Sequence, residues 1–321
     1  MKFNKTYIVA EIGSNHNNSI RTAKKIILSA KKCGADAVKF QLFKPEKLYS
    51  KDDPRINILA KFKFNTQWLD QLISFSKKNK IDFFASPFDK ESVNLLIKKK
   101  IKILKIASPE IRDYLLIEHI AKQKVFVVLS TGVSTFKEIK IAKKIINKYH
   151  NKLAILQCSS IYPCDLKNIN LSVIKSIKKK FKTVVGLSDH SLSIFPPIAA
   201  VSLGAKIIEK HFTLNRKQKG PDHSISIEPN EFKKMVEGIR SIEMSLGSKR
   251  KKILKPESLK NHKKSFFSSR EIKLNEKITK NNIQLLRSPK GIDSKNLMKI
   301  LTKKSKTNIK NNQMIKWDHL K

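Results

Sequence analysis

The chain has 321 residues, 40% of them hydrophobic, and carries a formal net charge of +42. It holds no run of the roughly 18 apolar residues that a membrane-spanning helix needs, and its start lacks the features of a signal peptide, so we expect a cytoplasmic protein. The three cysteines, Cys33, Cys158 and Cys164, are an odd number without metal-site spacing, which argues against a disulfide framework.

Short apolar segments rich in β-branched residues alternate with amphipathic, Lys-rich segments from residue 6 to about residue 211. Eight strands are predicted, at Tyr7–Ile12, Ala37–Leu42, Phe83–Ser86, Ile103–Ala107, Phe126–Ser130, Leu153–Cys158, Val184–Leu187 and Lys206–His211. Helices are predicted after them, for example at Ile20–Lys32, Trp68–Lys78, Lys90–Lys99, Phe136–Lys148 and Pro229–Leu246. Eight repeated βα units predict an α/β protein with a (β/α)₈ TIM barrel.

The pattern changes after the last of these helices. We predict a barrel domain at residues 1–246, a Lys- and Pro-bearing linker at residues 247–262, and a small β-rich domain at residues 263–321. Asn stands in its turns where Gly might be expected, since Asn tolerates a left-handed backbone. Two similar segments, Ile272–Asn275 and Ile309–Asn312, suggest an internal pseudo-symmetry.

Polar residues stand where the predicted strands end, which in a barrel is the catalytic face, because side chains from different strands converge there. Lys39 and Lys105 lie inside otherwise apolar strands. A buried ammonium group without a partner is costly, so we expect an anionic ligand, a phosphate or a carboxylate, beside these two lysines.

The high positive charge suggests an alternative class of function, nucleic-acid binding by a protein built on a barrel. Only eight of the 68 basic residues are Arg, and the lysines are spread along the whole chain. Nucleic-acid sites usually concentrate Arg and interleaved aromatic side chains. We therefore interpret the lysines as solvated helix faces and expect neither a nucleic-acid nor a membrane partner; strongly salt-dependent retention on nucleic acid would support the alternative.

Nine sequence blocks, in this order, resemble the N-acetylneuraminate synthase family, which includes the legionaminic and pseudaminic acid synthases. The blocks are VAEIGSNHN (9–17), GADAVKFQ (34–41), SPF (86–88), LKIAS (104–108), LSTG (129–132), CSSIYP (158–163), GLSDH (186–190), EKHF (209–212) and GPDHSISIEP (220–229). Near the end, LLRSPKGI (285–292) is similar to the antifreeze-protein-like (SAF) domain of these enzymes. The resemblance implies a transferase that condenses phosphoenolpyruvate with an N-acetylmannosamine-like sugar and water, with C–O cleavage and release of phosphate.

The resemblance also implies roles for individual residues. His190 and His211 match the ligands of a divalent metal, Mn²⁺ first, with Mg²⁺ or Co²⁺ as alternatives. Glu11 and Asp222 match carboxylates that serve as the acid or base, with roles that could be exchanged. Lys39 and Lys105 match catalytic ammonium groups that hold phosphoenolpyruvate. The other matching positions are Ser86, Ser108, Ser130, Ser160 and Ser188 for phosphoenolpyruvate and Gln41 and Tyr162 for the sugar.

Arg287 matches an arginine that reaches the barrel of a neighbouring subunit and binds the acetamido group of the sugar, which implies a domain-swapped homodimer. Relatives commonly read Arg-Pro followed by Gly-Asn-Gly, whereas this chain has Arg287, Ser288, Pro289, Lys290 and Gly291. Loss of the rigid Arg-Pro step could change the direction in which the guanidinium points.

The acceptor stays open between N-acetylmannosamine and a 2,4-diacetamido sugar, which is the N,N'-diacetyllegionaminate alternative. The GPDHSISIEP block is closer to the N-acetylneuraminate and legionaminate members than to the pseudaminate ones. A third possibility, a sugar-phosphate sensor without activity, is opposed by the intact set of His190, His211, Lys39 and Lys105.

Overall fold

Eight parallel strands close into a barrel, in sequence order, in the computed structural model, which describes residues 3–251 and 262–321. The chain divides into two compact units, Met1–Gly247 and Ser248–Lys321. Residues 252–261 of the predicted linker lie outside the described residues. The barrel strands are β1 (Tyr7–Gly13), β2 (Ala37–Leu42), β3 (Asp82–Pro87), β4 (Ile103–Ile106), β5 (Phe126–Ser130), β6 (Leu153–Cys158), β7 (Val184–Asp189) and β8 (Ile207–His211).

The helices cover the outside of the barrel with their apolar faces. In the first of them, Ala23, Ile26, Ile27 and Ala30 are buried at helical spacing, and Ser19 caps its start by accepting a hydrogen bond from the backbone N–H of Thr22. The helices of this unit are α1 (Ile20–Lys32), α2 (Pro45–Leu48), α3 (Arg55–Ala60), α4 (Leu69–Lys78), α5 (Lys90–Lys98), α6 (Tyr114–Lys122), α7 (Phe136–Asn147), α8 (Val173–Phe181), α9 (Phe195–Ser202) and α10 (Pro229–Leu246). Short 3₁₀ helices lie at Thr66–Trp68, Ser108–Arg112 and Leu166–Asn168.

The predicted barrel is confirmed, and most strand bounds agree to within two residues. β5 and β6 are buried at every position, as expected of strands enclosed by helices on one side and by the barrel core on the other. β8 begins at Ile207 rather than Lys206, whose side chain is exposed. The short helices α2 and α3, between β2 and α4, were not predicted.

The second unit is small and β-rich, as predicted. Its strands β9 (Lys264–Ser268) and β10 (Ile283–Arg287) pair antiparallel, and a short helix α11 (Leu297–Ile300) follows. Ile272 and Ile309 form an antiparallel bridge, and Asn275 and Asn312, three residues further along, both have a positive φ. The two similar segments thus occupy equivalent places, with Asn in the left-handed position. The 3₁₀ helices of this unit are Ser294–Asn296 and Trp317–His319, and its core is formed by Phe266, Ile272, Ile278, Ile292, Ile300, Ile309, Ile315 and Leu320.

Within the described residues, all three cysteines are buried and free, so none forms a disulfide. In that same part of the chain, none of the helices combines the length and apolar character needed to cross a membrane.

Candidate active site

Charged side chains from neighbouring strands meet inside the barrel at the ends of the strands. The Nζ of Lys39 on β2 lies 2.8 Å from Glu11 Oε2 on β1 and 3.1 Å from Ser86 Oγ on β3. Gln41 Nε2 donates to Glu11 Oε1 at 2.6 Å. Burial acts to lower the pKa of Lys39, but the carboxylates of Glu11 and Glu209 outweigh it and raise that pKa. The side chain of Lys39 is therefore held as an ammonium group.

A second ion pair lies next to the first. Lys105 Nζ on β4 is 2.8 Å from Glu209 Oε1 on β8, and the same oxygen accepts a hydrogen bond from Ser188 Oγ at 3.0 Å and lies 3.8 Å from Lys39 Nζ. Burial acts to raise the pKa of Glu209, yet the ammonium groups of Lys105 and Lys39 lower it to about 2. Glu209 is thus an ionised carboxylate shared by both lysines.

This arrangement corrects one sequence expectation. The argument for an anionic ligand assumed that Lys39 and Lys105 were without partners, and that assumption is wrong, because Glu11 and Glu209 neutralise them. Sequence reasoning included Glu209 in the EKHF block but gave it no role. Its place in the EKHF block, two residues before His211 and therefore on the same face of the strand, was the available signal.

Two imidazoles lie at the same end of the barrel. The ring centroids of His190 and His211 are 5.4 Å apart, and the ring of Tyr162 lies 4.1 Å from that of His190. His190 Nδ1 is 2.8 Å from the carbonyl oxygen of Ser159. Since a carbonyl only accepts, Nδ1 carries the proton and Nε2 keeps its lone pair. Burial, with His211 as a smaller contribution, lowers the pKa of His190 to about 3, so this ring is neutral at physiological pH.

This pair has donor atoms that suit a divalent transition metal, because neutral imidazole nitrogens are its common ligands. In residues 3–251 and 262–321, His211 Nδ1 is buried without a hydrogen-bond partner. The same residues contain no group of three or more His, Cys, Asp or Glu side chains arranged to hold a metal. A metal here would therefore take its remaining ligands from water or substrate.

Several polar atoms of the candidate site have nothing to bond within the part of the chain that the structure describes. They are the hydroxyls of Ser130 and Ser160 and the Oε2 of Glu209, all buried. Buried polar atoms usually have a partner, so these hydroxyls indicate the place of a ligand. Ser108 differs, because its Oγ accepts from the backbone N–H of Gly132 at 2.9 Å and donates to Cys158 Sγ at 3.3 Å.

Gly132 has room for no side chain. A Cβ at this position would lie 2.2 Å from Ser160 Oγ and 3.0 Å from both Ser108 Oγ and Cys158 Sγ. The hydroxyls that follow β4 and β6 therefore lie against one glycine, which itself follows β5.

Asp222 approaches the site from the segment after β8. Its Oδ2 accepts from the backbone N–H and the hydroxyl of Ser14, each at 2.8 Å. A Cβ on Gly13 would lie 2.4 Å from Asp222 Oδ2 and 3.5 Å from Gln41 Nε2. The Asp222 carboxylate and the Glu11–Gln41 pair thus border the same backbone turn.

Arg287 is part of the second unit, where it ends β10 opposite Lys264 and its side chain is exposed. The structure therefore gathers the other predicted site residues in the barrel, while Arg287 stands in a separate unit. The residues gathered at the barrel mouth are Glu11, Lys39, Gln41, Ser86, Lys105, Ser108, Ser130, Ser160, Tyr162, Ser188, His190, His211 and Asp222.

Comparisons with known proteins agree with this architecture. A family model described as the NeuB family matches residues 26–251, and a SAF domain model matches residues 263–321. The N,N'-diacetyllegionaminic acid synthase of Campylobacter jejuni is 36% identical over 331 residues, covering 97% of this chain and 99% of the relative. The pseudaminic acid synthase of the same organism is 35% identical over 323 residues, covering 95% of this chain and 94% of the relative.

A solved structure of a sialic acid synthetase also matches this chain. The N-acetylneuraminic acid synthetase of Leptospira borgpetersenii, in complex with citrate, is 36% identical to this chain and superposes with a TM-score of 0.76. The match covers 79% of this chain and 90% of the other.

Proposed function

The chain belongs to the NeuB family, and we propose that it is a nonulosonic acid synthase acting on N-acetylmannosamine or a related 2,4-diacetamido sugar. Its named relatives are synthases of legionaminic, pseudaminic and sialic acids, so it is a transferase that uses phosphoenolpyruvate to form a carbon–carbon bond. Carbon three of phosphoenolpyruvate bonds to the aldehyde carbon of the open-chain sugar. Water adds to carbon two, and the C–O bond to phosphate breaks.

The observation that carries this proposal is a pair of buried hydroxyls without partners in the barrel that also holds the two buried lysines. Ser130 and Ser160 bond to nothing in the described part of the chain, and Lys39 and Lys105 form buried ion pairs inside the same barrel. Hydroxyl and ammonium donors suit the phosphate and carboxylate of phosphoenolpyruvate. The proposed contacts to this substrate are Lys39, Ser86, Lys105, Ser108, Ser130, Ser160 and Ser188.

We propose Glu11 as the carboxylate that handles the proton at the sugar aldehyde. It contacts both Lys39 and Gln41, so it joins the proposed phosphoenolpyruvate side of the pocket to the proposed sugar side. Asp222, whose Oδ2 accepts two hydrogen bonds from Ser14, is the second candidate.

We propose His190 and His211 as the ligands of a divalent metal, with Mn²⁺ preferred over Mg²⁺ or Co²⁺. When bound, such an ion supplies polarisation of the aldehyde carbonyl. The carbonyl of Ser159 holds the ring of His190 in the tautomer that presents Nε2. Tyr162, whose ring lies 4.1 Å from that of His190, would contact the sugar.

We propose a homodimer in which Arg287 reaches the barrel of the partner chain and binds the acetamido group. The exposed side chain of Arg287 supports this, as does the match of residues 263–321 to the SAF domain. We also propose a cytoplasmic location, which the three free cysteines favour.

The test supplies the purified protein with phosphoenolpyruvate, Mn²⁺ and each candidate sugar separately, and measures phosphate release and product mass. Phosphate should appear with one of the acetamido sugars. The His211→Ala variant should lose turnover and keep its fold, while His119→Ala, a change on helix α6, should retain turnover. Absence of phosphate release by the wild-type protein with every sugar would overturn the proposed function.

A further inference from the structure

A buried ion pair on the outer side of the barrel wall has no part in the reaction proposed above. Asp189 at the end of β7 and Lys210 on β8 are register partners, and both side chains are 1% exposed. The pair before them, Ser188 and Glu209, points into the barrel, where the two are hydrogen bonded. Because successive side chains of a strand alternate, Asp189 and Lys210 point away from the barrel interior.

The ammonium group of Lys210 is surrounded by oxygen atoms of one short segment. It bonds to the Asp189 carboxylate, to the carbonyl of Ser191 and to the carbonyl of Ser193, the last at 2.9 Å. The Asp189 carboxylate also accepts from the backbone N–H and the hydroxyl of Ser191, at 3.0 and 3.1 Å. All three donors of the ammonium group are satisfied, so residues 189–193 wrap around a single lysine.

A buried ion pair is an energetically unfavourable way to fill the space between β7 and β8. Apolar side chains of similar volume often give equal or greater stability, because burying two charges costs desolvation energy. What the charges do provide is a fixed position for residues 189–193. His190 lies inside that segment, and His211 directly follows Lys210 in β8.

We propose that Lys210 is a positioning residue, which fixes residues 189–193 against β8 and thereby sets His190 opposite His211 at the spacing that lets both bind one metal ion. This inference rests on the proposed function of the two imidazoles. It adds that their geometry is imposed from the outer side of the barrel wall, by a side chain that touches neither metal nor substrate.

The test uses the double variant Asp189→Asn/Lys210→Met, because Lys210→Met alone would leave an unpaired buried carboxylate. Asn keeps the acceptor for the Ser191 N–H. Lys210→Arg is the second variant, since it keeps the charge but not the compact ammonium group that the oxygens surround. The matched control is Lys206→Met, the same Lys-to-Met substitution at an exposed position just before β8.

Two measurements are needed on metal-free protein. Titration calorimetry with Mn²⁺ should show affinity about 10- to 100-fold weaker in the double variant, the usual effect of removing a group that orients a metal ligand, and a smaller loss in Lys210→Arg. NMR of ¹⁵N-labelled histidine rings should show that His190 no longer holds the single tautomer protonated at Nδ1. Lys206→Met should match the wild type in both.

The outcomes separate the two proposals. If His211→Ala binds Mn²⁺ as tightly as the wild type, the assignment of the imidazoles is wrong and the positioning role is overturned with it. If His211→Ala loses Mn²⁺ binding while the double variant keeps wild-type affinity and a single His190 tautomer, only the role of Lys210 is overturned.

Discussion

Glu11 and His211 are register partners on β1 and β8, the two strands whose pairing closes the barrel. On its other side, Glu11 pairs in register with Lys39 of β2. Closure of the barrel therefore brings the carboxylate and ammonium groups and the two imidazoles into one site. Substitutions of the paired charged residues and substitutions of the two histidines should affect the same reaction, but they should change the free energy of unfolding differently.

The change Ser130→Ala should stabilise the fold while weakening phosphoenolpyruvate binding. The structure, over its described residues, gives the buried Ser130 hydroxyl no partner, so its removal should add about 1 kcal/mol to the free energy of unfolding. Loss of a hydrogen bond to a charged substrate should raise KM for phosphoenolpyruvate about tenfold. Urea unfolding and steady-state kinetics measure the two effects. Ser86→Ala is the control for stability and should lower the free energy of unfolding, because Ser86 Oγ accepts a hydrogen bond from Lys39. An unchanged KM for phosphoenolpyruvate in Ser130→Ala would show that Ser130 does not contact this substrate.

The change Lys105→Met should lower the free energy of unfolding by about 3 kcal/mol, because Glu209 would keep only Lys39, at 3.8 Å, as a cationic partner. Adding Glu209→Gln removes both charges and should restore most of that stability but none of the activity. Urea unfolding and phosphate release measure these effects. Lys99→Met is the control, since its pair with the exposed Asp70 should contribute less than about 1 kcal/mol. A double variant as unstable as Lys105→Met would contradict the coupling.

The barrel and the location of its site could be predicted from the sequence, because alternating apolar and amphipathic segments depend on local periodicity alone. The same periodicity gave β2, β5 and β6 their observed bounds. It could not show the partners of the buried lysines. Glu209 and Lys105 lie on different strands, far apart in sequence, and their contact depends on how the barrel closes.

Sequence-based prediction was also limited because it could not establish to which side of the barrel wall a strand residue points. Glu209, Lys210 and His211 are consecutive, and a shift of one residue in strand phase would exchange the side chains inside the barrel with those outside. The sequence therefore identified polar residues at this strand end but could not separate Glu209, which faces the barrel interior, from Lys210, which lies on the outer side of the barrel wall.

The buried His16 should make the fold sensitive to acid. Burial lowers its pKa to about 4, with Asp222 acting in the opposite direction, and its ring lies among Phe40, Phe64 and Trp68. Between pH 6.5 and about 4, the unfolded chain binds a proton that the folded chain does not, so the free energy of unfolding falls as pH falls. In His16→Phe, the slope of the free energy of unfolding against pH should decrease by up to about 1.4 kcal/mol per pH unit in this range. Urea unfolding at a series of pH values measures it, and an unchanged slope would show that His16 is protonated in the folded state.

Complementation between two variants, each impaired at low sugar concentration, should reveal whether Arg287 acts in the partner chain. Arg287→Ala should raise KM for the sugar, leave stability unchanged because its side chain is exposed, and give little turnover at low sugar concentration. His211→Ala should be inactive, because His211 is a proposed metal ligand. When the two chains are coexpressed with different tags and the mixed dimer is purified, a swapped arrangement pairs the intact His211 of one chain with the intact Arg287 of the other. One of the two sites is then complete, so the mixed dimer should recover about half of the wild-type activity. If Arg287 instead served its own barrel, each site of the mixed dimer would carry one defect, and the mixture would be as inactive as its parts.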